Sequence, residues 1–318
     1  MNVYLIILYG YVLVAGILIY FFYRDQKSKT VFLGRHRIIA WGCIGILGSG
    51  ILMAFDARFI EINRLVIHEE KITTPDIKKS IRIALIGDLH VGEHKKAAWA
   101  QKVVNKIIEA KPDMVVIAGD NVYNHGTSLD ETEYLEPLRE LPKHFPTYYV
   151  MGNHEYGYAA YGLQLAADQS TVVEKKMKDM GLTLLKDQLG CPKINEQRIC
   201  LFGMDDVYRE MNTFDELKKW NKTAPLILVV HNPDGVLLWP DTETQPVVTL
   251  AAHTHGGQIW LPIIGPLGHA AMKLGPEYYR GLTEIDGKKL FTTVGVSESG
   301  GPIRFLTPPE VAIITLQP

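Results

Sequence analysis

The chain has 318 residues, 47% hydrophobic and 21% charged, with a formal net charge of −2. A near-neutral chain with no basic stripe and no aromatic-interleaved basic patch carries no nucleic-acid footprint. Its three cysteines, Cys43, Cys191 and Cys200, are too few for a disulfide scaffold and match no zinc spacing.

Residues 1–22 contain no charged side chain, and neither do residues 38–55. About 20 apolar residues cross the hydrocarbon core, so each stretch is long enough to span it. A cleaved signal peptide is the competing reading of the first. That reading ordinarily needs a positive n-region, which is absent, and a second apolar segment follows closely. The expectation over 1–55 is a transmembrane helical hairpin, hence a multi-pass protein of the cell membrane with membrane lipid as a partner. The intervening loop holds Arg24, Lys27, Lys29, Arg35 and Arg37 against Asp25. Positive loops stay in the cytoplasm, which places the rest of the chain on the outer, extracytoplasmic side. Arg58, Arg64 and Lys71 beyond the second segment weaken that asymmetry, so the cytoplasmic face stays open as an alternative. Gly42, Gly45, Gly48 and Gly50 allow close helix packing, although glycine is commoner in spanning helices anyway.

Residues 56–80 read as a connector with an entry strand, from alternation at Ile60, Ile62 and Val66. Residues 81–318 read as the catalytic domain. Strands at 81–86, 114–118 and 147–151 each run into a polar motif: Gly-Asp-Leu-His at 87–90, Gly-Asp-Asn at 119–121 and Gly-Asn-His-Glu at 152–155. Residues 96–110 place Ala98, Val103, Val104, Ile107 and Ile108 on one helical face, and 158–180 read as a helix closed by Gly181. Strands follow near 183–187 and 198–203. A hairpin around Asn195 lies between Cys191 and Cys200, which can bridge if they face an oxidising compartment. Strands at 225–230 and 247–252 each end in histidine: His231, and His-Thr-His-Gly-Gly-Gln at 253–258. The last strands are expected at 290–296 and 310–316. Strands alternating with helices make a layered α/β domain, with its site at the strand C-terminal ends.

Carboxylate, imidazole and amide oxygen are ligands for divalent cations. Asp88 and His90 alternate along an extended segment, so both can point into one cleft. Asp120 is placed to bridge two ions, which lie about 3.5–4 Å apart in two-metal sites. Asn153 offers a neutral oxygen, and His253 and His255 can reach different ions from one loop. Gly256 and Gly257 let that loop turn tightly. A lone histidine is more often a packed or surface residue; the ordered set reverses this for His90, His231, His253 and His255. Ligands without thiolate fit two ions of Mn, Fe, Zn or Co better than a magnesium cage. His94, His125 and His269 could line the cleft, with a non-ligand role favoured. Asp205 and Asp206 read as structural hydrogen-bonders. Arg280 and Arg304 are candidates to bind a substrate phosphate, against ordinary ion pairing. The apolar run at 259–264 reads either as a surface for acyl chains or the bilayer, or as a buried strand.

In their order these motifs resemble the calcineurin-like metallophosphoesterase superfamily, over roughly residues 80–300. The resemblance implies a four-layer α/β/β/α sandwich. It implies one ion held by Asp88, His90, Asp120 and His255, and a second held by Asp120, Asn153, His231 and His253. His154 would be a catalytic histidine that is not a ligand. The implied reaction is hydrolysis of a phosphoester by metal-activated water, with His154 stabilising charge or protonating the leaving group. The anchored N-terminus, the HNPD at 231–234, the HTHGGQ and the PIRFLTPPE at 302–310 narrow the likeness to the bacterial membrane-associated subfamily. That group includes UDP-2,3-diacylglucosamine pyrophosphatases and cell-wall-associated phosphoesterases. Ala252 departs from the glycine usual before the paired histidines, and the stretch from Val294 departs from the commoner Gly-Leu-Gly type. The expected substrate is a phosphodiester or pyrophosphate in a small molecule or lipid, such as UDP-2,3-diacylglucosamine. An extracytoplasmic phosphoesterase on wall polymer, phospholipid headgroup or nucleotide is the alternative. A protein phosphatase or a non-catalytic binding protein is a minor one; all seven filled ligand positions argue against the last.

Overall fold

The computed structural model describes residues 3–25, 36–124, 130–159, 162–241, 244–268 and 270–318. His125, His269, Lys27, Lys29 and Arg35 lie outside the described residues. Two helices come first, α1 (Val3–Asp25) and α2 (Arg37–Phe55), both long and apolar enough to cross a membrane. They pack antiparallel. The Tyr23 ring lies 6.4 Å from that of Trp41, and the Tyr11 hydroxyl donates to the Leu47 carbonyl at 3.4 Å. Tyr11 also fills the space that a side chain at Gly50 would take, whereas Gly42, Gly45 and Gly48 face open space.

The chain stays helical beyond α2, through a π-helical turn at Asp56–Ile60 and a 3-10 turn at Glu61–Asn63, before β1 (Val66–Thr73). The entry strand is therefore β1, and Ile60 and Ile62, whose spacing pointed to it, are helical. Tertiary contacts decide this. Glu61 and Ile62 are buried, Glu61 Oε1 accepts the Thr307 N–H at 2.5 Å, and the Ile62 carbonyl accepts Lys95 Nζ at 2.9 Å.

The remaining strands are β2 (Ile81–Ile86), β3 (Met114–Ala118), β4 (Thr147–Val150), β5 (Thr183–Leu184), β6 (Gln188–Gly190), β7 (Lys193–Ile194), β8 (Gln197–Arg198), β9 (Cys200–Gly203), β10 (Leu226–Val229), β11 (Val248–Ala251), β12 (Trp260–Leu261), β13 (Gly265–Pro266), β14 (Gly281–Ile285), β15 (Lys288–Thr292) and β16 (Glu310–Gln317). One sheet runs β1-β16-β2-β3-β4-β5 and the other β14-β15-β11-β10-β9-β6. β2 to β5 are mutually parallel, as are β9, β10, β11 and β15. Both sheets thus present strand C-terminal ends to the site.

Period-two alternation sorts the side chains into layers. In β2, Ile81, Ile83 and Leu85 face the second sheet, meeting Leu201, Ile227, Val229 and Leu250. Ala84 and Ile86 face the opposite way, toward α3 (Ala97–Ala110) and α5 (Ser170–Asp179), which flank the short α4 (Leu141–His144). Burial on both faces is why these strands are unbroken apolar runs. Each such side chain contributes about 1.5–3 kcal/mol of transfer free energy. The outer face of the second sheet, with Phe202, Leu226 and Leu228, packs on Trp220, Val236 and Trp239 from 3-10 turns and their flanks. The mixed α/β sandwich has its expected four layers, one outer layer helical and the other built of 3-10 turns.

The helix expected over 158–180 begins only at Ser170. Gly157 and Gly162 stand at φ +75° and +73°, a region that interrupts a right-handed helix. The loop they shape returns to the strand ends, where Asn153 Nδ2 donates to the Tyr158 carbonyl at 2.7 Å. In α3 the buried stripe is Trp99, Ala100, Val103, Val104 and Ile107; Ala98 is exposed.

Candidate metal centre

Each candidate residue stands just beyond a parallel strand: Asp88 and His90 after β2, Asp120 after β3, Asn153 and His154 after β4, His231 after β10, His253 and His255 after β11. The chain must turn sharply there while keeping its side chain in the cleft. Asp88, His90, Asp120, His253 and His255 adopt φ of 53°, 41°, 52°, 71° and 51°. Left-handed conformations cost these residues of order 1–3 kcal/mol each and persist where surroundings over-determine them, typically at functional sites. Backbone bonds between the turns do this: Asp88 N–H to Gly119 O and His90 N–H to Asp120 O, both 3.0 Å.

The seven expected ligands come together, with imidazole, carboxylate and amide-oxygen atoms facing one another. The ring Nδ1 atoms of His231 and His255 donate to the carbonyls of Ala118 and Ser297, at 2.7 and 2.9 Å. A carbonyl only accepts, so each Nδ1 carries a hydrogen, and in the neutral ring each Nε2 presents a lone pair. His255 Nε2 meets His90 Nε2 at 3.3 Å and lies 3.9 Å from Asp88 Oδ1. His231 Nε2 meets Asp120 Oδ2, Asn153 Oδ1 and His253 Nδ1, each at 3.1 Å. Asp120 Oδ2 also lies 3.5 Å from His90 Nε2. Groups of imidazole and carboxylate atoms within 4.8 Å of one another form around Asp88, His90 and His255, and around Asp120, His231 and His253. Clustered imidazole and carboxylate atoms of this kind repel one another unless positive charge, a proton or a cation, stands among them, so these residues fit divalent ions.

Electrostatics say the same. Burial pushes Asp88 up to about 7 and His253 down to about 3, and it holds His90 and His255 well below the usual histidine range. Burial also pulls on His231, but the carboxylates of Asp120, Asp88 and Asp206 outweigh it and hold that ring up at about 10. Burial opposes ionisation of Asp120 too, yet His231 and His154 beside it keep its carboxyl well below the usual range. Bound cations would supply the positive charge that the protonated His231 otherwise provides.

His154 N–H donates to Asp120 Oδ1 at 2.9 Å, and its Nδ1 donates to the Tyr123 carbonyl at 2.5 Å. That leaves His154 Nε2 toward the cleft, 3.9 Å from Asp120 Oδ2. The cleft, about 250 Å³, is lined by Asp120, Asn153, His154, His253 and His255, with Ile259 and Leu267 at its rim.

Two expected phosphate binders stand elsewhere. Arg304 is fully buried, and its guanidinium donates to the carbonyls of Thr307, Val294, Ser297 and His255, behind the His255 ring. Arg280 lies over the Trp260 ring at 3.8 Å and lines a separate cavity with His68 and Glu310. His94 is exposed beside the Tyr123 ring. Asp205 accepts from the Tyr156 hydroxyl, and Asp206 caps Tyr208 N–H, as hydrogen-bonders should. The Asp206 carboxyl, also pushed by burial up to about 7, keeps Oδ2 without a partner.

Three supporting roles were not assigned from the sequence. Glu155 accepts the N–H groups of Asp120, Asn121, Val122 and Gly152, at 3.1, 2.5, 3.3 and 2.7 Å, and so ties two ligand turns together. The Tyr208 hydroxyl lies 3.4 Å from His253 Nε2, which leaves Nδ1 as the ring atom facing His231. Gly152 leaves no room for a Cβ beside Asp120. The adjacency of Glu155 to Asn153-His154 was the one available hint.

The model of the calcineurin-like phosphoesterase family matches residues 81–286. The chain is 27% identical to the uncharacterized metallophosphoesterase YkuE of Bacillus subtilis, covering 87% of this chain and 95% of that protein. It is 25% identical to the phosphodiesterase YaeI of Escherichia coli, covering 74% of this chain and 82% of that one. It is 27% identical to a transmembrane protein with metallophosphoesterase domain from Danio rerio, over 76% of this chain but 54% of the fish protein.

Proposed function

The chain belongs to the calcineurin-like phosphoesterase family, metal-dependent phosphoester hydrolases, and on that premise we propose that it is a membrane-anchored phosphodiesterase that holds two divalent ions. The observation that carries the reading is the convergence of imidazole, carboxylate and amide-oxygen atoms around Asp120. Asp88, His90, Asp120 and His255 would hold one ion, and Asp120, Asn153, His231 and His253 the other. When bound, such ions acidify water and neutralise charge on phosphoryl oxygens. The side chains do the remainder. His255 and His231, fixed by the Ser297 and Ala118 carbonyls, hold their tautomers without adjustment during turnover. His154 Nε2 faces the cleft and delivers a proton to the leaving oxygen.

Anchoring through α1 and α2 is supported by their length and apolar surfaces. The disulfide between Cys191 and Cys200 supports a catalytic domain on an oxidising, extracytoplasmic face. That placement favours an exported diester, a wall polymer or a lipid headgroup over a nucleotide-linked precursor met in the cytoplasm.

The test is hydrolysis of a bis-aryl phosphate against an aryl monophosphate by chelated protein reloaded with Mn²⁺, Zn²⁺, Fe²⁺ or Co²⁺. Diester turnover should return with metal. Asp120→Asn should stay folded, bind no metal and turn nothing over. An Asp120→Asn protein with full metal content and activity would sink the reading.

A further inference from the structure

The apolar run at 259–264 is not a buried strand. Trp260 and Leu261 of β12 pair with Pro266 and Gly265 of β13, and the tip of this small hairpin stands clear of the protein. Ile263 is 107% exposed, Ile264 72% and Leu267 54%. Ile263 also sits at φ +73°, where glycine or asparagine fits and a β-branched residue is strained. Neither a buried contact nor a backbone preference explains isoleucine there. Clustered apolar side chains of this kind mark a surface that meets an apolar partner.

The identity of that partner follows from how the hairpin is tied to α2. Trp260 N–H donates to Phe305 O at 2.8 Å, and Phe305 N–H to Gln258 O at 3.0 Å. The preceding residue, Arg304, donates its backbone N–H to Ala57 O at 3.0 Å. Ala57 follows the last residue of α2 by two positions, inside the π-helical turn. No flexible linker intervenes, since the chain is helical from Arg37 to Asn63. A surface bonded within two residues of a spanning helix lies at the membrane interface. Phe55, Phe59, Ile60 and Leu306 add exposed apolar side chains to the region. Arg58 stacks on Phe59, and Arg280 stacks on Trp260 while donating to Leu306 O. Aromatic and arginine side chains edging an apolar surface suit the boundary between acyl chains and headgroups.

We propose that the β12–β13 hairpin is a second membrane contact, its tip entering the bilayer that α1 and α2 span, to the depth of about 5–10 Å usual for interfacial elements. The inference rests on the anchoring read into those two helices. Because Ile259 and Leu267 also line the metal cleft, the same contact holds the cleft mouth at headgroup level.

The experiment uses the full chain with Cys43→Ser, reconstituted in phosphatidylcholine–phosphatidylglycerol nanodiscs. An environment-sensitive fluorophore is attached in turn at Ile263→Cys, at Ile46→Cys within α2, and at Lys218→Cys before β10. A mixture of acyl chains brominated near the headgroup and near the chain end supplies the quencher, so that labels at either depth are reached. The label at 263 should emit blue-shifted and lose most of its emission, as at 46, while the label at 218 should keep its emission. Ile264→Cys repeats the test at a second position, and bis-aryl phosphate turnover confirms that each labelled protein is folded. Quenching at 46 with none at 263 or 264 overturns the hairpin contact and leaves the anchor standing. No quenching at 46 overturns the anchor, and the hairpin contact with it.

Discussion

Gly295 is the position at which a single methyl group should separate fold from site. It follows β15, has φ +73°, and a Cβ built on it falls 2.5 Å from Asp88 Oδ2 and 2.8 Å from Asp88 Cβ. Ordinary contact begins near 3.4 Å, so the Asp88 carboxylate must give by about 0.9 Å. Both its oxygens accept the His253 N–H, at 3.1 and 3.2 Å, and one faces His255 Nε2 at 3.9 Å, so retreat disturbs two of the proposed ligand histidines. Alanine also carries a left-handed backbone cost of about 1–2 kcal/mol. Gly281 isolates that second cost: its φ is +74°, and nothing lies within 4 Å of a built Cβ. Gly281→Ala and Gly295→Ala should therefore lower the Tm of the protein comparably through the backbone. Only Gly295→Ala should lose turnover, by about 10²-fold, the scale of a 1 Å misplacement at a reacting centre. Thermal unfolding in detergent, metal per chain by elemental analysis and bis-aryl phosphate turnover give the three readings. Equal turnover in the two variants would refute the steric argument.

His154→Ala should keep its metal and slow turnover by about 10²–10⁴-fold on substrates with poor leaving groups, and less on activated ones; a loss independent of leaving group would remove His154 from proton delivery. Glu155→Gln should leave two of the four N–H groups around Glu155 facing an amide donor, at about 1–3 kcal/mol each, and so lower both Tm and metal affinity. Without metal, His231 keeps its proton up to about pH 10, whereas an unfolded histidine releases it near 6.5. The resulting stability is complete below pH 6.5 and is lost as pH rises toward 10. Chelated protein should therefore lose Tm over that range while metal-loaded protein changes less, and coincident profiles would contradict the assignment. Alkylation without reductant should modify Cys43 alone, with Cys191 and Cys200 joining it only after reduction.

The site was legible in the chain because its chemistry is local. Gly-Asp-Leu-His or His-Thr-His-Gly-Gly-Gln at the end of an apolar run announces a strand delivering metal-binding atoms to a sheet edge. The supporting groups were not legible, because their roles depend on partners distant in sequence. Arg304 looks like a surface cation until its neighbours fill with the carbonyls of residues 255, 294, 297 and 307. The helix expected from 158 failed for a related reason: Gly157 and Gly162 answer to the loop beside Asn153 and override local propensity.

Period-two alternation, the polar strand ends and two uncharged stretches of spanning length follow from residue order alone, since solvent exclusion and ligand chemistry act on neighbours along the chain. Which imidazole nitrogen faces the cleft, which glycine makes room for Asp88, and how closely the hairpin at Ile263 is tied to α2 were decided only when distant segments packed. Hydrogen-bond direction and steric contact are properties of atoms in space, and no spacing along the chain encodes them.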